Sequence, residues 1–222
     1  MKEVVLDTET TGLAVKDGHR IVEIGAIELD NLIPTRKIFH VYLNPERKVS
    51  QEAFKVHGYS DQFLSDKKKF NEISDDFLAF IKDKKIIIHN AEFDIAHINN
   101  ELLLAGKEKI SKTNVVDTLD IARNKFPGSS INLDALCKKF RIDSSRRTKH
   151  TALIDCELLS KVYINLIDQK EPMLDLKSEV NSKLNLENNA SSDYYKKIIY
   201  PSNEEKKLHK NFIVKNLKKS FF

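Results

Sequence analysis

The sequence predicts an α/β domain built on a mixed five-stranded sheet flanked by helices, with a linker and a short tail behind it. Three observations carry this expectation. β-rich segments at 3–9, 20–29 and 37–43 follow one another through short links, the pattern of an antiparallel meander. The run Lys85-Ile86-Ile87-Ile88-His89 is short and almost wholly apolar, as in strands buried on both faces of a parallel sheet. Beyond it, helical periodicity alternates with a further short strand, which makes β-α-β units.

The first strand, Glu3 to Glu9, gives way to a turn at Gly12. The second spans Arg20 to Leu29, and the third, Lys37 to Leu43, stops at Asn44-Pro45. From Ser50 onward the pattern is helical. Phe70, Ile73, Phe77, Phe80 and Ile81 keep a 3.6-residue spacing that predicts a helix over 70–81. Asn90 to Leu104 is helical again, with Ile95, Ile98 and Leu102 along one side and Gly106 as its C-cap. Val115-Val116 predict the last strand, and Asp117 to Lys125 a helix ended by Pro127-Gly128. Leu133 to Phe140 and Thr151 to Ile167 close the helical half.

After Gln169 the character changes. Residues 181–193 have no dense apolar face and read as a linker. Tyr194-Tyr195 and Ile198-Ile199-Tyr200-Pro201 follow, then a helical pattern through Leu208, Phe212, Ile213 and Leu217. A segment too small to bury such residues itself reads as a docking peptide, the alternative being a tail packed on its own domain. The expected boundaries are a domain at 1–169, a flexible linker at 170–193 and a docking tail at 194–222.

Composition narrows the function classes. The chain has 222 residues, 41% of them hydrophobic, and a mean hydropathy of −0.42, which describe a soluble globular protein. No apolar run approaches the roughly 20 residues needed to span a bilayer. Met1-Lys2-Glu3 opens no signal peptide, so a cytoplasmic protein with no membrane partner is expected. Cys137 and Cys156 fall in helical apolar segments without a CxxC or Cys/His cluster, which points to buried free thiols. Residues 177–222 hold 10 Lys against 5 acidic residues, so the basic excess sits in the tail, where it can meet nucleic acid or an acidic partner.

The chemistry begins at Val4-Val5-Leu6-Asp7-Thr8-Glu9, where a strand presents two carboxylates at i and i+2 on one face. Two carboxylates that close repel unless a cation sits between them, and hard oxygen ligands suit magnesium or manganese. Asp94 lies where an apolar strand passes into a helix, the end at which open α/β sheets gather ligands. An Asp in the first turn of a helix is also favoured by the macrodipole without any function. Asp155 borders the stripe Ala152, Cys156, Leu159, Tyr163 and Leu166, and a carboxylate beside a core face needs a cationic or hydrogen-bonding partner. His150 stands five residues earlier, about 140° away on one continuous helix, so a shared site places it in the preceding loop.

Four carboxylates suit a two-metal centre, in which cations about 3.5 to 4 Å apart stabilise the attacking and leaving oxygens of a phosphodiester displacement. A histidine, with an unperturbed pKa of about 6.5, takes a proton from the attacking water at neutral pH. The constellation Asp7, Glu9, Asp94, His150 and Asp155 points to a nuclease.

Asp7-Thr8-Glu9, Asn90-Ala91-Glu92-Phe93-Asp94 and His150-Thr151-Ala152-Leu153-Ile154-Asp155 resemble the three motifs of DEDDh 3′→5′ exonucleases, in order and in residue type. Phe39 to Pro45, Ala53 to Gly58 and Leu133 to Cys137 are similar, more narrowly, to the proofreading branch that serves bacterial DNA polymerase III. The resemblance covers about residues 3–167 and implies a ribonuclease-H-like fold. It implies two Mg2+ or Mn2+ ions, with Asp7, Glu9 and Asp155 on the first, Asp7 bridging to the second and Asp94 supporting it. It makes His150 the general base and the 3′ hydroxyl of the penultimate nucleotide the leaving group, with one nucleoside 5′-monophosphate released per cycle. Asp7, Glu9 and Asp155 would meet the substrate with Thr8, Thr10, Val56 and His57, the last two in a segment that lines the family's base pocket.

For Thr8, Thr10 and His57 the alternatives are strand packing and helix capping. Arg146 and Arg147 could hold a phosphate, but a charged pair on a solvated loop is the commoner explanation. The implied partners are a single-stranded or frayed 3′ end of DNA, the polymerase III alpha subunit through the tail, the sliding clamp and a small accessory subunit. Gln169-Lys170-Glu171-Pro172-Met173-Leu174 stands where the family carries its clamp-binding peptide and lacks the usual aromatic residue. Two rival readings remain open from the sequence, an RNA-trimming exonuclease with the same five residues and a scaffolding subunit with a vestigial site.

Overall fold

The structure is a computed structural model that describes residues 2–168 and 200–216. Strands β1 (Lys2–Thr10), β2 (Ile21–Asp30) and β3 (Ile33–Tyr42) form the antiparallel meander. Helices α1 (Gln51–His57), α2 (Asp61–Leu64) and α3 (Phe70–Ile81) follow. The next elements are β4 (Lys85–Ile88), α4 (Ala91–Leu104), β5 (Val115–Asp117) and α5 (Thr118–Lys125). Helices α6 (Leu133–Phe140) and α7 (Ala152–Leu166) complete the domain. The sheet order is β3-β2-β1-β4-β5, with β4 parallel to both β1 and β5. This is the mixed five-stranded sheet that the sequence predicts.

One boundary differs clearly. β3 begins at Ile33 rather than Lys37, because Asn31 (φ 49°) and Leu32 (φ 67°) form a two-residue left-handed turn that leads directly from β2 into β3. Such a turn matches the twist of the paired strands. Pro34 is tolerated because β3 lies at the edge of the sheet. Gly106, with φ 69°, sits one residue beyond the Ala105 cap of α4.

Alternation along β1 assigns each helix layer a face. Val4 and Leu6 pack with Phe70 and Phe77 of α3 and Ile95, Ile98 and Leu102 of α4. Val5 packs on the other face with Leu136 of α6 and Cys156, Leu159 and Val162 of α7. Asp7 and Glu9 therefore share the α7 face, and Thr8 shares the α4 face. Asp7 pairs with Gly25 on β2, and a β-carbon at Gly25 would lie 2.5 Å from the carbonyl carbon of Ala152. The absent side chain lets the first turn of α7 rest directly on the sheet beside Asp7. Cys137 and Cys156 are buried free thiols, as expected.

Met1–Asp175 forms one compact unit and Leu176–Phe222 a second. Within the second, helix α8 (Asn203–Asn216) exposes Leu208. Residues 170–193, expected as the linker, and the clamp-like segment 169–174 lie outside the described residues. Among the described residues, no helix is long and apolar enough to cross a membrane.

Candidate active site

Asp7 and Glu9 come from the carboxyl end of β1, where the pairing with β2 shifts register between Glu9 and Thr10. Such bulges re-aim side chains beside functional sites. Asp94 comes from the first turn of α4, and its Oδ1 accepts hydrogen bonds from the Thr8 amide at 3.1 Å and the Thr8 hydroxyl at 2.6 Å. Asn90, with φ 69°, turns the chain into α4. Asp117 receives the amides of Asn90 at 3.0 Å and Ala91 at 2.9 Å and caps α5 through the Leu119 amide at 2.8 Å, so one carboxylate fixes two helix starts.

Asp155 lies in the first turn of α7, and His150 lies in the loop before it, as the spacing requires. The His150 amide donates to the Val56 carbonyl at 3.3 Å, which ties this loop to α1. The start of α7 is held by Glu23, a fully buried carboxylate directly opposite Glu9 on β2. Glu23 accepts from the Ala152 amide at 2.9 Å and the Tyr59 hydroxyl at 2.8 Å, with His40 Nε2 at 2.7 Å. These contacts satisfy the hydrogen-bonding needs of a buried carboxylate that faces Glu9 across the strands.

The acids crowd one another. Burial, reinforced by Asp94, Asp155, Glu9 and Glu23, raises the Asp7 carboxyl well above its ordinary value. Burial, with Asp155, Glu23 and Asp94, pushes Glu9 up to about 8. Burial pushes Asp94 up to about 7 against the opposing pull of the Thr8 hydrogen bonds. Asp155 moves the other way, because the hydrogen bonds and charge of Arg147, with His150 beside it, outweigh its burial and hold it below its ordinary value.

Arg147 overturns the expectation of a solvated pair. Arg146 is exposed, but the Arg147 side chain is only 7% exposed. It donates from Nε to Asp155 Oδ1 at 2.6 Å, from Nη2 to Asp155 Oδ2 at 2.8 Å and from Nη1 to Asp134 Oδ1 at 2.6 Å. Nη2 also donates to His150 Nδ1 at 2.8 Å, so a neutral imidazole here carries its hydrogen on Nε2. Asp155 thereby has the cationic partner that its place beside the core demanded.

The donors suit a divalent metal. Ligand atoms of Glu9, His150 and Asp155 lie within 4.8 Å of one another, and Asp7 shares their face of the sheet. Hard oxygens, clustered at a cost in protonation that only positive charge relieves, are the donor set of magnesium and manganese sites.

Two hollows meet at Thr8, Glu9 and Phe93. One, of about 660 Å³, is lined by Asp7, Glu9, Asp94, His150 and Asp155, together with Asn90, Asn132, Asp134 and Arg147. The other, of about 430 Å³, takes its apolar wall from Leu13, Ala14, Ala53, Val56 and Phe93, with Glu52 and His57 beside them. Val56 and His57 both line this second hollow. His57 is buried and accepts the Tyr59 amide at Nδ1. Thr10 lines this hollow too, but its hydroxyl donates to the Gly12 carbonyl at 2.7 Å. Glu52 and Phe93 escaped the sequence reading; Glu52 stands one turn before Val56, and that helical spacing is the signal that could have found it.

The family described as RNase_T, Exonuclease, matches residues 4–163. The DNA polymerase III subunit epsilon of Rickettsia conorii is 46% identical over 227 residues, covering 100% of this chain and 99% of that protein. The subunit of the same name from Escherichia coli is 48% identical over 171 residues, covering 73% of this chain and 70% of its own. The nuclease domain of 3′hExo, a DEDDh family member solved bound to rAMP, superimposes with a TM-score of 0.66 at 16% identity, over 78% of this chain and 97% of that one. The chain therefore belongs to the DEDDh exonuclease family, in its DNA polymerase III epsilon branch.

Proposed function

We propose that the chain removes misincorporated nucleotides from the 3′ end of newly made DNA, using two magnesium or manganese ions held by Asp7, Glu9, Asp94 and Asp155. The carrying observation is the convergence of these four carboxylates and His150 on one hollow, joined to a second with an apolar wall. The protein is a 3′→5′ proofreading exonuclease, and its place of action is that of the polymerase, in the cytoplasm.

When bound, the metal pair supplies Lewis-acid stabilisation of the charge on the attacking and leaving oxygens. The residues of the chain do the rest. Val56, Ala53, Leu13 and Phe93 receive the terminal base on apolar surface, which tolerates any base because each has a π-face. Thr8 fixes the rotamer of Asp94, and Glu23 fixes the start of the helix that carries Asp155. His150 takes the proton of the attacking water as the water oxygen bonds to phosphorus, the bond from phosphorus to the 3′ oxygen breaks, and that oxygen leaves as an alkoxide that takes up a proton from solvent. A mispaired end enters the hollow more readily, since it has less pairing to lose.

A 5′-labelled DNA primer, paired or mispaired at its 3′ end, tests this reading in magnesium beside an RNA primer of the same sequence. Single-nucleotide ladders that form faster on mispaired DNA are expected; degradation of RNA alone would move the function to RNA trimming. The tail, residues 194–222, is the part that binds the alpha subunit, through apolar residues such as Leu208 on α8. Deleting it is expected to abolish co-elution with alpha in gel filtration while leaving the ladders intact. Retained co-elution would overturn the docking assignment.

A further inference from the structure

Arg147 reaches the site from the loop before α7 and meets Asp155 with two prongs, at 2.6 and 2.8 Å. This is the geometry in which a guanidinium and a carboxylate attract most strongly. The two side chains are 7% and 5% exposed, so salt screens the pair little. The same Nη2 donates to His150 Nδ1 at 2.8 Å. Both oxygens of Asp155 and one lone pair of His150 are therefore engaged by a single guanidinium.

Asp155 is a donor that a divalent ion would also use, and its ligand atom lies within 4.8 Å of those of Glu9 and His150. Arginine does not become neutral to make room. A cation that approaches Asp155 finds one lone pair of each oxygen already taken by the fork and must also meet the like charge of the guanidinium. Asp134, whose side chain is 63% exposed, holds Nη1 at 2.6 Å, so the guanidinium has an anchor on which to pivot away.

We propose that Arg147 is an intramolecular competitor for the metal site, a positioning residue that clasps Asp155 and His150 until a divalent ion displaces it. The proposal rests on the metal-dependent reading above. Metal entry then frees His150 Nδ1 in the same movement, which couples loading of the acids to release of the base. A different role for the clasp, preorienting Asp155 for the metal, has the opposite consequence: without Arg147, metal would bind more weakly.

The sign of one change separates the two. Mn2+ is titrated into the full chain by calorimetry, beside Arg147→Gln and Arg147→Lys. Removing a buried charged fork is expected to tighten Mn2+ binding about tenfold in Arg147→Gln. Arg147→Lys, which keeps the charge without the fork, falls between. In EDTA, Arg147→Gln melts below the wild type because Asp155 has lost its partner, and saturating Mn2+ narrows the gap. Unchanged or weaker binding by a folded Arg147→Gln overturns the proposal while leaving the metal-dependent reading intact. Should that variant fail to fold, Arg147→Lys carries the same test with the same sign. A wild-type chain that takes up no Mn2+ overturns both.

Discussion

Replacing Asp7 with alanine or asparagine is expected to lower the rate of 3′ nucleotide release by roughly a thousandfold, as befits a group supplying several kcal/mol of transition-state stabilisation. Asp7 lies at the centre of the acidic cluster, with Asp94, Asp155, Glu9 and Glu23 all acting on it. The same crowding predicts a second outcome. Removing one of several mutually repelling carboxylates relieves the fold, so Asp7→Asn in EDTA is expected to melt at a higher temperature than the wild type. Catalytic sites commonly hold such arrangements at the expense of stability. Primer ladders and thermal unfolding measured on one preparation decide the matter. Activity and melting temperature falling together would make Asp7 a structural residue and sink the assignment.

Metal removal is expected to make stability fall as pH rises. Glu9 moves from an ordinary 4.5 up to about 8, and Asp94 from 3.8 up to about 7. Each binds its proton more tightly in the folded chain than in the unfolded one. The stability this contributes is complete below about pH 4 and is lost as pH climbs through 7 to 8. Asp155, held low by Arg147, contributes in the opposite sense, and that contribution is lost only as pH falls below the ordinary carboxylate range. Between pH 5 and 8 the raised groups therefore dominate, and the chain in EDTA is expected to lose on the order of 2–3 kcal/mol.

Magnesium reverses the slope, because positive charge between the carboxylates favours their ionised forms and its binding expels protons. Thermal unfolding at pH 5, 6.5 and 8, with EDTA and with Mg2+, reads both effects. Stability that rises with pH in EDTA would show that these carboxylates are not held protonated by their surroundings.

How much of this was legible depends on how local the physics is. The helix Phe70–Ile81 runs where its apolar spacing places it, because a 3.6-residue period needs no knowledge of the partner. Asp7 and Glu9 share a face because alternation on a strand permits nothing else. The early start of β3 was hidden because Asn31-Leu32 lacks the Gly that usually marks a left-handed turn, and Pro34 argues against a strand unless the strand is an edge.

The chain's order of residues was enough to establish the α/β class, the motif acids, the place of His150 in a loop and the need of Asp155 for a cation. It could not say which cation. Arg147 and Arg146 are adjacent and chemically identical, yet one is buried against Asp155 and the other is exposed. Thr8 meets Asp94 across 86 positions of sequence, and Glu23 holds the start of α7 across 129. Contacts of that range follow from which helix covers which face of the sheet, and closing so long a loop leaves no imprint on local periodicity. Folding chose these partners, and with them the electrostatics of the site.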